Sequence, residues 1–130
     1  MKRSVVALIA VVLLITVGCA GVQTGTKLNS MRLVTSGDDA VAHVNAESYG
    51  IYAIFGMFPL LTGDTSSTAG GLALLADSCK VEPVVEMATR AAKEMNATRL
   101  TDLQSSVSGF PIIPFILSYK SVQVSGNAVK

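Results

Sequence analysis

The sequence predicts an α+β domain, a small antiparallel or mixed sheet of about four strands packed against one amphipathic helix over residues 81–95. Three observations lead there. From Val81 to Met95 the apolar positions 81, 84, 85, 88, 92 and 95 repeat at i, i+3, i+4, i+7 spacing, which gathers them on one helical face. Short β-prone runs punctuated by Gly, Pro, Asn, Asp and Ser lie on both sides of this helix. A helix with one apolar face needs a second layer to lie on, and the flanking strands supply it.

The chain begins outside that domain. Met1-Lys2-Arg3 is cationic, and the 13 residues from Val5 to Val17 carry no charge. A bilayer-spanning helix needs about 20 apolar residues, so this is the layout of a cleaved export signal over residues 1–18. Thr16-Val17-Gly18-Cys19 resembles a bacterial lipobox, with Thr16 departing from the usual aliphatic residue. The resemblance implies diacylglyceryl transfer to the Cys19 thiol, cleavage between Gly18 and Cys19, and acylation of the new amino terminus. Each buried methylene contributes about 0.8 kcal/mol, and two or three chains hold where one binds reversibly. The competing reading is a secreted protein in which Cys19 is incidental.

Residues 19–30 read as the acylated cysteine and a flexible tether, small and polar without periodicity. The folded domain is then 31–130. Met31 to Thr35 is a first short strand, Ser36-Gly37-Asp38-Asp39 a turn cluster, and Val41 to Asn45 an alternating strand. Tyr49 to Leu61 (YGIYAIFGMFPLL) reads as one buried strand, kinked or bulged near Gly56. Gly63 to Gly71 is a loop by composition, and Leu72 to Ala76 has no clear assignment.

The helix has Asp77 or Ser78 upstream as a capping candidate, Pro83 in its first turn, and Asn96 as a left-handed stop. Glu86 with Arg90, and Arg90 with Glu94, are i, i+4 pairs on its polar face. Thr98 to Ser106 follows as a strand. Pro111 and Pro114 exclude a central strand from Phe110 to Tyr119, although Phe115 to Tyr119 can still pair. Ser121 to Val129 closes the chain, with a bulge suggested at Gly126.

VVEMATRAAKEMNATRLTDLQSS (84–106), SYKSVQVSGNAVK (118–130) and FPLLTGD (58–64) together resemble the TRL-like family of small bacterial lipoproteins. More distantly they resemble YbjQ- and RcsF-type envelope domains. The resemblance covers residues 45–130 and implies a fold and an address. It carries no reaction onto any residue.

The chemistry available is sparse. Half the residues are hydrophobic and the mean hydropathy is +0.52. Without Lys2 and Arg3, eight basic side chains face nine acidic ones, a formal charge of −1 that offers nucleic acid no footprint. His43 is the single histidine, so neither a histidine-based triad nor a multi-histidine metal site can form within one chain. Cys79 lies two residues before the helix, where a thiol pKa can be lowered; an incidental cysteine is the plainer reading. Asp38-Asp39 offers too few oxygens for calcium, and Gly63 to Gly71 lacks the Lys-Ser/Thr ending of a phosphate-binding loop. The aromatic runs 51–61 and 110–119 are either core strands or an exposed apolar patch.

The functional expectation is a membrane-anchored bacterial envelope lipoprotein with a non-enzymatic, binding or assembly role. Its expected partners are the membrane, through acyl chains on Cys19, and a second copy or another envelope protein. Ala20 after the cysteine resembles the sorting pattern of outer-membrane lipoproteins and implies a periplasm-facing location. The alternative is an oligomeric small-molecule or metal-binding envelope protein with His43 or Cys79 at a symmetric interface. No catalytic residue, cofactor or metal ligand is assigned.

Overall fold

The computed structural model describes residues 4–6, 20–28, 31–32, 34–35 and 38–130. The lipobox residues 16–19, most of the preceding apolar run, and Ser36-Gly37 lie outside them. Residues 4–6 are helical. The strands are β1 (Ala20–Gly25), β2 (Lys27–Leu28), β3 (Met31–Arg32), β4 (Val34–Thr35), β5 (Asp38–Ala53), β6 (Phe58–Gly63), β7 (Leu72–Leu74), β8 (Arg99–Ile113) and β9 (Leu117–Val129); the helix α1 spans Val81–Glu94.

The fold is β-rich, which corrects the expected four-stranded α+β arrangement. Seven strands form one sheet, in the order β7-β6-β5-β9-β8, with β1 and β4 also paired to β5. All its pairings are antiparallel. β2 and β3 form a separate two-stranded ribbon. Most of the additional strands arise in three places, and β7 adds one more in the unassigned Leu72–Ala76. Tyr49 to Leu61 is a hairpin, not one kinked strand: β5 ends at Ala53, a turn covers 54–57, and β6 returns. Phe110 to Tyr119 is a second hairpin, joining β8 to β9. The expected tether contains β1, whose Ala20 is registered with Ser48 and buried.

β5 organises the sheet. From Ala40 to Ala53 one side of it pairs with β9. Its other side pairs with β1 over 43–48 and with β6 over 50–53. Because strand side chains alternate between faces, Ala42, Val44, Ala46, Ser48 and Tyr52 point to one face and are buried. Val122, Val124 and Ala128 of β9 join them. At Gly50 the chains come so close that a Cβ would stand 2.7 Å from the Leu61 carbonyl oxygen, which is why this core-facing position has no side chain.

α1 covers that face with Val84, Met87, Ala88, Ala91 and Ala92. The contact stripe is thus shifted from the expected one: Met87 and Ala91 are inside, and Val81 is 37% exposed. Its alanines let the helix approach the sheet closely. Neither Asp77 nor Ser78 caps it; Lys80 is the N-cap residue and makes no side-chain cap bond. Glu82 in the first turn and Lys93 in the last complement the helix dipole. Asn96 is the expected stop, at φ 60°. The Ala97 amide donates to the Ala92 carbonyl at 3.0 Å and the Asn96 amide to Lys93 at 3.0 Å, a Schellman closure. Arg90 and Glu94 turn to the 64–71 loop instead of each other. Arg90 donates to the carbonyls of Thr65 and Ser66, and Glu94 accepts from the Thr68 hydroxyl at 3.0 Å.

The β8 edge obeys the proline argument. Pro111 sits in a strand that pairs only with β9, where a missing N–H costs no ladder bond on the open side. The bulge expected at Gly126 lies on the opposing strand, between Thr101 and Gln104, with Asp102 at φ 53°. Gly126 accommodates it: a Cβ there would meet Leu103 Cδ2 at 3.0 Å.

The shifted stripe is testable by urea denaturation. Met87→Ala, at a fully buried position, is expected to cost about 2–5 kcal/mol. Val81→Ala is expected to change stability by less than about 0.5 kcal/mol. Equal losses would restore the stripe that the spacing alone suggests.

Candidate functional site

The two hairpins end side by side. Both tips are built from apolar residues in left-handed backbone, with Ile54, Phe55 and Gly56 at φ 47°, 57° and 75° and Phe115 at φ 66°. Only glycine adopts such values without strain, and a β-branched residue such as Ile54 does so rarely. Neighbouring bonds hold the strain in place. The Ile54 amide donates to the Ile116 carbonyl at 2.9 Å and the Phe55 amide to Phe115 at 3.3 Å, extending the β5–β9 ladder through the tips. The Phe55 and Phe115 rings meet edge to face at 5.4 Å.

These tips stand clear of the core. Phe55 is 69% and Phe115 72% exposed, and Ile54, Met57, Phe58, Phe110 and Ile116 are exposed with them. Of the two readings of the aromatic runs, the exposed patch holds for the tips, and the core reading holds for Tyr52. Between the tips and β8–β9 lies an open cleft of about 430 Å³, walled by Phe55, Phe110, Pro111, Phe115 and Tyr119 with Lys120 at its base. Tyr119 stacks at a tilt on Phe110 (5.0 Å) and Tyr49 (6.1 Å), carrying aromatic surface along the face of the sheet opposite α1.

Lys120 is held by two contacts. Its Nζ donates to the Gly56 carbonyl at 2.7 Å and lies 4.3 Å from the centre of the Tyr52 ring, a cation–π distance. The Tyr52 hydroxyl donates to Asp77 Oδ1 at 2.7 Å, and Asp77 Oδ2 pairs with Lys80 at 2.7 Å. Burial, then the bond to Asp77, push the Tyr52 phenol far above its ordinary value, so it remains a donor. Burial would raise the Asp77 carboxyl, but hydrogen bonds from Lys80 and Tyr52 prevail and hold it below the usual carboxylate range. Ser48 and Ser118 bury hydroxyl oxygens that have no partner among the described residues.

Cys79 belongs to this cluster and differs from its sequence reading. It is buried, with its thiol 3.4 Å from the carbonyl oxygens of Ser48 and Lys120. Burial pushes the thiol pKa up, the reverse of activation at a helix N-terminus. A buried thiol is not presented to a second copy. His43 lies on the open face of the sheet, away from Cys79, with Nδ1 2.9 Å from Asn127 Oδ1; Asn127 in turn donates to Asp102. With Gln23, Asn45, Gln123 and Ser125 it lines a shallow polar depression of about 390 Å³. Among the described residues no group of three or more His, Cys, Asp or Glu side chains converges to hold a metal ion. Gly18 and Cys19, the cleavage and lipidation residues, fall outside the described residues.

Sequence reasoning named the aromatic runs but missed Lys120, Tyr52 and Asp77 as a connected set. They are far apart in the chain: the β5–β9 register brings Tyr52 and Lys120 together, and the connector between β7 and α1 delivers Asp77. Comparison with protein-family models, curated proteins and solved structures returns no match.

The Asp77 arrangement carries a pH dependence. An unfolded aspartate protonates at about 3.9, whereas the folded carboxyl holds out to lower pH. Its stabilisation is therefore present above the unfolded value and lost as pH falls through the folded one. Melting temperature is expected to fall below about pH 4, and Asp77→Asn is expected to flatten part of that fall. Superimposable pH profiles for the two proteins would remove Asp77 from the account.

Proposed function

We propose that the chain is an acyl-anchored lipoprotein of the bacterial envelope, with a folded part that acts by binding or assembly and carries out no reaction. The TRL-like resemblance and the periplasm-facing, outer-membrane address belong to this reading. Its main support is the meeting of Thr16-Val17-Gly18-Cys19 with β1. Ala20, the next residue, is already buried and paired in the sheet. A lipid on Cys19 would therefore be joined to the sheet almost without a linker. The binding role draws on the tips, which expose large apolar side chains at one end of the molecule. An apolar patch of that kind marks an interaction surface.

Mass spectrometry of the mature amino-terminal peptide in a Gram-negative host tests the anchor. A diacylglyceryl-modified Cys19 is expected as the first residue. Inhibiting the lipoprotein signal peptidase is expected to accumulate a lipidated precursor that keeps residues 1–18. Cys19→Ala should lose both lipid and cleavage at this site. An unmodified Cys19 in the mature chain would overturn the assignment.

A further inference from the structure

We propose that the paired tips, Ile54–Met57 and Pro114–Ile116, are a second membrane contact that enters the interfacial layer of a lipid surface beside the anchor. The proposal deepens the lipoprotein reading and rests on it for the identity of that surface.

Three observations select lipid as the occupant. The first is direction. β1 runs antiparallel to β5 from Ala20, opposite Ser48, to Gly25, opposite His43. The tips continue from Ala53 at the other end of β5, so the chain enters β1 from the side on which the tips lie. From Ser48 to Ala53 is five residues, about 17 Å of strand, so Ala20, the residue after the proposed anchor, lies along the tip-proximal half of β5.

The second observation is charge. No charged residue occurs between Glu47 and Asp64, or between Asp102 and Lys120. The tips lie within these two segments. The register places the border of the first, Ser48, level with Ala20. Beyond that level Lys120, registered with Gly50, brings its amine onto the Gly56 carbonyl, so this end of the sheet carries a cation while the two segments hold no carboxylate.

The third is what borders the tips. Half-buried Tyr49 and Tyr119 lie at the base, with Tyr52 buried behind them, and Lys120 and Lys80 are the nearby cations. Tyrosine and lysine beside an apolar band match the chemistry of a membrane–water boundary, where amphipathic rings and amines meet headgroups. The Asp77–Lys80 pair on the helix side limits the depth, so the contact is interfacial and does not span. The cross-tip ladder keeps both loops in position before they meet lipid, so little order has to be created on contact.

The chain contains no tryptophan, so one introduced indole reports its own surroundings. Full-length protein carrying Phe115→Trp, or Phe55→Trp as a second reporter, is reconstituted in phosphatidylethanolamine–phosphatidylglycerol vesicles with brominated acyl chains. Gln104→Trp, on the exposed β8 edge and registered with Ser125, is the control. The tip reporters are expected to emit further to the blue, to be quenched by the brominated lipid and to be shielded from acrylamide; the control is expected to be open to acrylamide and unquenched by lipid. Tip reporters that brominated lipid does not quench would overturn the proposal, whether they stay open to acrylamide or are covered by a second copy. The state of Cys19 is read separately by mass. A quenched tip with unmodified Cys19 retains the tip contact and removes the anchor. An unquenched tip with lipidated Cys19 removes the tip contact alone.

Discussion

The length mismatch between β5 and the helix that covers it governs the molecule. β5 has 16 residues and α1 has 14, but a strand advances about 3.4 Å per residue and a helix about 1.5 Å. The helix can shield less than half the length of the strand. The buried set reflects this, with Val44, Ala46, Val122 and Val124 under the alanine-rich stripe of α1. Beyond it the two hairpins continue with no second layer. Residues 103–116 of β8 and its turn are exposed. The exposed apolar end is thus a geometric consequence of sheet length, not a flaw in core packing.

The uncovered half is stabilised in other ways. Lys120 ties the first tip to the sheet and lies over Tyr52, Tyr52 reaches Asp77, and Asp77 holds Lys80 at the start of α1. All but the local Asp77–Lys80 pair cross from one element to another, so the polar chain joins both hairpins to the segment that leads into α1. Cys79 fills the space beside it as a small buried group. With its thiol engaged on backbone oxygens, it acts as packing and not as redox chemistry.

What could be read from the sequence was local. The 3.6-residue period placed α1 to within a residue at its end, Asn96 stopped it, and the prolines kept 110–114 away from the sheet centre. What could not be read was decided by partners distant in the chain. Nothing in the composition of Ala20–Gly25 signals a strand; it forms one because β5 offers an unpaired edge at 43–48. The hairpin at 54–57 is not legible in the sequence because its turn is Ile-Phe-Gly-Met, without the Asn-Gly or Asp-Gly that readily supplies left-handed residues. Periodicity marked α1 as amphipathic, but only the docked helix shows that Met87 and Ala91 face inward. At the candidate site the aromatic runs were visible as composition, whereas their exposure depended on how far the helix reaches.

The long strand β8 leaves an open edge, and its irregularities limit what can pair there. An exposed edge of backbone donors and acceptors invites pairing with another chain. β7 limits one side of the sheet by being three residues long. β8 is 15 residues long and has no charged side chain after Asp102. It is interrupted at both ends: the bulge around Asp102 breaks the register near one end, and Pro111 with a second shift before Ile113 breaks it near the other. Between the two shifts the register is regular from Gln104 to Pro111, a stretch that contains three serines and a glycine. Such residues provide little side-chain area for a partnering strand. The exposed apolar side chains of β8, among them Leu103, Val107 and Phe110, thus lie on an edge broken at two places, and they run into the hairpin tips, where two strained turns hold the largest rings in one orientation.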